Sequence, residues 1–474
     1  MYRVLSRTAV TDANRLRARV LAIATIVFAA GSWFLVHRRF DIDELEHAHA
    51  AWCVAQGLIP YRDFFEHHPP ALYLLSAPLF RAMSPGDAFD RAAQTLVMCR
   101  AAMWLLAVVA IMLTHRLATY VVRPVATATG VWAVFLLATS FQFLNTTMEF
   151  RPDVPAVVCV LAALVCALEA QRSNSPVQRW WLLAAGAALA ASLLFTQKAI
   201  FAAPGVVVFV SMTGRRGILT FGIGLMIPIA MVAGWFAANG AVLALVDGTI
   251  MRNVAINTDR SSPLPGLLAS LLRNLPLYGF GLAGAIKAWR VKRTGAPSML
   301  LATLLSLGAG VVLIGRVYDQ YYLLMLPLLA VFGAAAIAEW SARQPGSTGW
   351  IPVAVGVAAI VLLPGVVMTR YESNDRQLAD MHLAMDQVRP DETVLSGIPG
   401  AGTFRPHAWY YFFLVGPFAN ATDLDALRLA LDGGQVRPRL VVFDAAVQTM
   451  PTSVLQYLRA HYRPLRDDLY IRHD

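Results

Sequence analysis

The sequence predicts an α-helical polytopic membrane protein of about eleven transmembrane helices, followed by a small C-terminal α/β domain. Three observations carry this expectation. Only 14% of the 474 residues are charged while 57% are hydrophobic, against roughly 25% charged in a typical soluble domain. The apolar residues fall in blocks of roughly 17 to 25, the length that crosses a bilayer as helix. Those blocks stop near Tyr371, where charge rises again. A spanning helix satisfies its own backbone hydrogen bonds, which an isolated strand in lipid does not.

In chain order the spans fall near Val20–Val36, Ala92–Leu113, Pro124–Leu144, Val154–Ala170, Trp180–Phe195, Ile200–Met212 and Ile218–Ala238. They continue at Leu275–Trp289, Met299–Ile314, Gln320–Trp340 and Trp350–Thr369. Ala71–Phe80 is apolar but too short to cross, and reads as interfacial or re-entrant. Residues 1–370 therefore form the bundle, with a first outside loop at 37–91, and residues 371–474 form the appended domain.

Charge orients the bundle. Arg3, Arg7, Arg15, Arg17 and Arg19 precede the first span, and Arg116, Arg123, Arg172, Arg179, Arg215, Arg216, Arg290, Arg293 and Arg343 fall in loops on that same side. Lys and Arg concentrate on cytoplasmic loops, so the N-terminus is cytoplasmic and, with an odd span count, the C-terminal domain is extracytoplasmic. The net charge of +10 is largely this topology signal, and nucleic-acid binding is not read from it. The first apolar block is long for a cleaved signal and reads as an anchor. Of the four cysteines only Cys53 lies in a loop, and no CxxC suggests zinc.

The last hundred residues alternate helix and short apolar strand. Helices are expected at Asn374–Val388, Leu424–Leu431 and Ser453–Tyr462, and strands at Glu392–Ser396, Leu440–Phe443 and Leu469–Arg472. The aromatic run His407–Phe413 is expected to pack this domain on the membrane surface.

The chemistry-bearing residues sit in the outside loops. The first holds Asp41, Asp43, Glu44 and Glu46 just past a span end, beside His47 and His49, then Tyr61, Phe64, Phe65, His67, His68, Pro69 and Pro70. If Asp43–Gln56 is helical, Asp43 and His47 share a face. Carboxylates at a helix start also favour the dipole, the plain structural reading. The second outside loop carries Glu149, Arg151 and Asp153, the third Lys198, and a later one Arg316, Tyr318, Asp319 and Tyr321. Any single cation at a span end commonly snorkels to the interface. Carboxylates in one loop and cations in three others on the same face fit one chemistry together. A sugar joined to a polyprenyl phosphate has a leaving group that needs cations where negative charge develops. The attacking hydroxyl needs a carboxylate base, and direct displacement inverts the anomeric centre. An outside site needs no nucleotide-phosphate loop, and neither GxxxxGK[ST] nor a convincing GxGxxG occurs.

The order Asp43-Glu44 after the first span, then His68-Pro69-Pro70, then Arg151 and Asp153 resembles the GT-C glycosyltransferases, and is similar in type to protein O-mannosyltransferases and the lipid A aminoarabinose transferase. By motif the resemblance covers roughly the first two hundred residues, and beyond them only topology. It implies an inverting transferase of the bacterial inner membrane, with a polyprenyl-phosphate sugar donor and a glycan, lipid or protein acceptor. It implies that Asp43 is the base or an acceptor-binding carboxylate and Glu44 its partner, that Arg151 and Lys198 hold the donor phosphate, and that Arg316 and Tyr321 are donor contacts. Asp41, His47, His68 and Asp153 are further site candidates. No cofactor is required, but the density of histidine departs from the pattern and leaves room for a divalent metal. Against that metal, adjacent His67 and His68 are expected to point in different directions. The rival readings are a transporter or flippase for a lipid-linked precursor, which predicts ionisable groups near mid-bilayer as at Arg100 and Arg273, and a receptor or scaffold, which leaves the first loop unexplained.

Overall fold

The computed structural model describes residues 7–121, 126–256, 262, 264–291, 295–314, 318–343, 349–357, 372–414 and 424–473. Among these, seven helices are long and apolar enough to cross a membrane: Asn14–His37, Phe89–Val121, Asp153–Arg172, Val177–Phe195, Gly214–Ala238, Ala296–Leu313 and Leu326–Arg343. An eighth crossing arises if the pair Ala128–Ala138 and Phe141–Thr147, bent by 66°, is one span. The bend falls at Thr139-Ser140, where the Ser140 hydroxyl accepts from the Phe143 N–H at 3.4 Å and starts the second helix. The expected eleven are not reached among the described residues. Gln197–Ser211 and Leu264–Arg273 are apolar but short. Leu264–Arg273 is cut from the 16-residue helix Leu275–Arg290 by Asn274, whose amide oxygen accepts from Ser140 Oγ at 2.8 Å and from Gln142 N at 3.0 Å. Most of the expected span Trp350–Thr369 lies outside the described residues.

Close helix contact depends on missing side chains. A Cβ on Gly186 would lie 2.1 Å from the Phe221 carbonyl oxygen, and one on Gly224 equally close to that of Leu183. Val177–Phe195 and Gly214–Ala238 thus meet backbone to backbone, the small-residue packing that substitutes for hydrophobic drive inside lipid.

The C-terminal domain matches its expected pattern closely. Helices Asp375–Gln387, Leu424–Asp432 and Thr452–His461 accompany strands β1 (Val394–Leu395), β2 (Leu440–Val442), β3 (Tyr462–Arg466) and β4 (Leu469–Arg472). The sheet order is β1-β2-β4-β3, with β1 parallel to β2 and the remaining pairs antiparallel. Strand β3 replaces the expected end of the last helix, because Tyr462–Arg466 pairs with β4 through a short turn.

This domain and the first loop share one face of the bundle. The Phe65 N–H donates to the Tyr410 carbonyl at 2.9 Å, Tyr410 Oη to the Tyr61 carbonyl at 2.7 Å, and the Phe40 N–H to Gln377 Oε1 at 2.7 Å. The run His407–Phe413, expected against the membrane surface, packs on the first loop instead, with Phe412 and Phe413 buried. Ala71–Phe80 is part of a 13-residue helix, Ala71–Met83, that follows the loop directly.

Candidate active site

Most of the candidate residues come from or surround the helix Ile42–Ala55. Asp41 caps it, its carboxylate accepting from the Asp43 N–H at 3.0 Å, and Asp43 and Glu44 occupy the first turn, where negative charge meets the helix dipole. Arg100, fully buried on the long helix Phe89–Val121, holds this helix in place. Its guanidinium binds both Glu44 oxygens at 2.8 and 2.9 Å. It also donates to the carbonyls of Leu35, Arg38 and Arg39 at 3.1, 2.8 and 3.0 Å and lies over the Phe40 ring. A buried charge paired and hydrogen-bonded this fully is the form low-dielectric surroundings tolerate. Glu44 is therefore 1% exposed and engaged by Arg100.

Asp43 is held differently. Arg151 Nη2 binds Asp43 Oδ2, while Nη1 reaches Asp41 at 3.1 Å and Glu149 at 3.2 Å. Arg38 closes the group from behind, 2.6 Å from Glu149. Arg151 and Glu149 are buried, whereas the Asp43 and Asp41 side chains are 25% and 38% exposed. The two aspartates form the open rim of a buried guanidinium site. Burial, with Arg38 opposing, pushes Glu149 up to about 7.

Beside this rim, Lys198 Nζ lies 2.9 Å from Asp153 and 3.7 Å from the centre of the Tyr321 ring. Burial lowers the Lys198 ammonium from its usual range, opposed by Asp153. Arg316 lies outside the described residues. His68 joins the two cation groups: after burial, which brings it down to about 4, Lys198, Asp153, Asp43 and Arg151 all act on its ring. His47 Nδ1 lies 3.1 Å from Tyr73 Oη, and its ring meets that of His68 edge-on. The structure thus brings Asp41, Asp43, His47, His68, Arg151, Asp153, Lys198 and Tyr321 to one region, with Glu44 on its buried side.

Two further residues belong here. Glu66 precedes His-His-Pro-Pro directly, and its carboxylate accepts from the His67 and His68 N–H groups at 2.8 and 2.9 Å. That turns both rings inward: their Nδ1 atoms lie 3.5 and 3.1 Å from the same Glu66 oxygen. The expectation that His67 and His68 point in different directions assumes extended backbone and is corrected by this curl. Glu46 lies beside them, both its oxygens buried without a hydrogen-bond partner. Burial first, then the Glu66 carboxylate, pushes Glu46 well above the usual carboxylate range. Glu46, Glu66, His67 and His68 each present a ligand atom within 4.8 Å of the others. An orphaned buried carboxylate in such a group fits a divalent cation. The sequence signal for Glu46 was its place three residues after Asp43, and for Glu66 its place just before the two histidines.

An apolar groove of about 420 Å³ is lined by Leu74, Pro78, Leu194, Phe195, Met231 and Trp235 among others. Phe195, one of its walls, is the last residue of the helix Val177–Phe195 and precedes Lys198 by three residues.

The sequence from residue 93 to 238, less than half of the chain, matches the family model for dolichyl-phosphate-mannose-protein mannosyltransferase. No curated protein sequence matches the chain. Among solved structures, ArnT from Cupriavidus metallidurans bound to undecaprenyl phosphate superposes with a TM-score of 0.69 at 14% identity, over 96% of this chain and 97% of that one. The archaeal oligosaccharyltransferase AglB from Archaeoglobus fulgidus, in complex with an inhibitory peptide and a dolichol-phosphate, gives 0.55 at 13% identity over 96% and 74%. The Archaeoglobus fulgidus oligosaccharyltransferase complex with Zn and sulfate gives 0.58 at 14% over 96% and 73%. The chain shares its fold with ArnT and the archaeal oligosaccharyltransferase. This chain is an integral membrane protein with that architecture over nearly its whole length.

Proposed function

We propose that the protein is an inverting glycosyltransferase that moves a sugar from a polyprenyl-phosphate donor to an extracytoplasmic glycan, lipid or protein acceptor. The observation that carries this reading is the pairing, on one face, of a half-open carboxylate, Asp43, with a separate, half-buried cation, Lys198. Each half has a task. Asp43 takes the proton from the acceptor hydroxyl as its oxygen attacks the anomeric carbon. The carbon–oxygen bond to phosphate breaks on the opposite side, and the leaving polyprenyl phosphate carries its charge to Lys198, with the chain in the groove. Lys198 has three N–H donors, and Asp153 uses one of them. Arg151, already shared among Asp41, Asp43 and Glu149, positions the base and adds positive field toward the phosphate. Glu44 acts through Arg100 to fix the helix that carries Asp43. Tyr321 packs on the Lys198 ammonium and Arg316 belongs to the same late loop.

A divalent cation, if bound by Glu46, Glu66, His67 and His68, supplies further positive charge beside the phosphate. The relatives' bound lipids, undecaprenyl phosphate in one and dolichol-phosphate in the other, support the donor class. The peptide beside dolichol-phosphate in AglB and the name of the matched family favour a protein or glycan acceptor. The C-terminal domain sits with the site on the outside of a bacterial inner membrane. Arg100 and Arg273, which a transporter would place in a substrate path, are instead paired with Glu44 and Asp319.

The test is turnover of radiolabelled polyprenyl-phosphate sugars by the purified protein in nanodiscs, supplied with envelope extract as acceptor. The expected result is loss of label from lipid into a product of inverted anomeric configuration. Movement of intact lipid-linked sugar between leaflets of proteoliposomes, with no cleavage of the sugar–phosphate bond, would replace this reading with a flippase.

A further inference from the structure

A second cluster lies on the same helix but faces the C-terminal domain. His49 Nε2 is 2.9 Å from His407 Nδ1, and Cys53 Sγ is 3.5 Å from the first and 3.8 Å from the second. His49 and Cys53 stand one helical turn apart, and His407 arrives from 358 residues away. All three ligand atoms lie within 4.8 Å of one another. Phe412 and Trp52 wall the His49 ring, and His49 and Cys53 are buried.

The ring proton of His49 is turned away from this group. A neutral imidazole has one N–H and one lone pair. His49 Nδ1 lies 2.8 Å from the Thr403 carbonyl, which can only accept, so the His49 proton is there and Nε2 is a lone pair. That lone pair faces His407 Nδ1 and Cys53 Sγ, where an ion held among the three atoms would meet it. A ligating histidine whose other nitrogen donates to a backbone carbonyl is the usual outer-shell support for a metal. Bonds of about 2.0–2.1 Å to nitrogen and about 2.3 Å to sulfur put tetrahedral ligands about 3.3 Å apart for N and N, and about 3.6 Å for N and S; the two sulfur distances bracket the second value, and the histidine pair at 2.9 Å would open by a few tenths of an ångström on binding.

We propose that His49 Nε2, Cys53 Sγ and His407 Nδ1 form a site for a thiophilic d¹⁰ cation, Zn(II) or Cu(I), that staples the C-terminal domain to the helix bearing Asp43. Two imidazoles and a thiolate are a soft to borderline donor set, unlike the two carboxylates of the other cluster, which favour a harder ion. On binding, Cys53 gives up its thiol proton to solvent and the thiolate takes the metal. The role is structural, and it does not depend on the chain being a transferase.

The site is tested with Co(II) on the full-length protein in detergent. Only a sulfur ligand gives a thiolate-to-cobalt charge-transfer band, and the other cluster has no sulfur. The expected result is an equimolar, Zn(II)-displaceable band in the wild type that is lost in Cys53→Ser and in His407→Gln. Zn(II) should also raise the melting temperature of the wild type and not that of Cys53→Ser. Displacement by Cu(I) but not Zn(II) identifies copper as the occupant. Absence of the band from folded wild-type protein, or its survival in Cys53→Ser, overturns the proposal. Should the variants fail to fold, the wild-type spectrum decides alone.

Discussion

At the scale of single residues, the site divides into groups that are held and groups that are open, and the division sets what substitution does. Asp43→Asn keeps the size of the side chain and removes its capacity to take a proton. Turnover is expected to fall about 10²- to 10⁴-fold with little change in melting temperature, and near-normal turnover by folded Asp43→Asn would move the base to Asp41. Arg151→Lys is expected to recover only part of what Arg151→Ala loses, because one ammonium cannot serve Asp41, Asp43 and Glu149 together. Full activity in Arg151→Lys would contradict the positioning role. Glu149 gives a pH signature. Its folded pKa of about 7 exceeds its ordinary 4.5, so the folded state retains a proton that the unfolded chain releases between those values. Its contribution to stability is present below about pH 4.5 and declines as pH rises toward about 7. Glu149→Gln cannot ionise, and the wild type should lose melting temperature relative to this variant across that window. A difference independent of pH would contradict it. These residues were legible because they are close in sequence to span ends. Glu46 was legible only as one more carboxylate of the first loop and Glu66 not as a site residue, since burial and a curled backbone, invisible in the letters, give them their importance.

At the scale of elements, the helix Ile42–Ala55 is the platform, fixed at its start by Arg100 and facing His407 near its end. Its existence could be read from the acidic cap and first turn. Its anchoring could not, because Arg100 and Glu44 are 56 residues apart, and an arginine within an apolar run looks like a transport residue until its partner is known. Removing one partner of a buried pair strands the other charge and typically costs about 3–5 kcal/mol. Arg100→Leu alone is therefore expected to unfold or severely destabilise the protein, while Arg100→Leu with Glu44→Leu should recover much of that loss. Thermal unfolding of the two variants checks this. Equal damage from both would mean that the backbone carbonyls of Leu35, Arg38 and Arg39, rather than Glu44, set the requirement for Arg100. The shorter elements bear on the number of spans among the described residues. Apolar composition reports that a segment is buried, and Gln197–Ser211 and Leu264–Arg273 are apolar yet too short to cross.

For the whole molecule, the class was legible from composition alone and the C-terminal α/β alternation from its pattern, whereas the docking of that domain onto the first loop depends on contacts hundreds of residues apart. Docking makes the topology prediction strict: the domain and the site share one side. A cysteine placed at exposed Asp391 should react with an impermeant thiol reagent in intact cells, and one placed at exposed Arg216 only after lysis. The reverse pattern would put the site in the cytoplasm and remove the lipid-linked donor with it. The donor is the central claim, and Lys198 is where it is most exposed to test. A hydrogen bond to a charged partner is worth about 1.5–3 kcal/mol, so affinity of the purified protein for undecaprenyl phosphate, measured by native mass spectrometry or titration in detergent, should fall about 10- to 100-fold in Lys198→Ala. Equal affinity in wild type and variant, or no saturable binding in either, would contradict a lipid-phosphate donor held at this site.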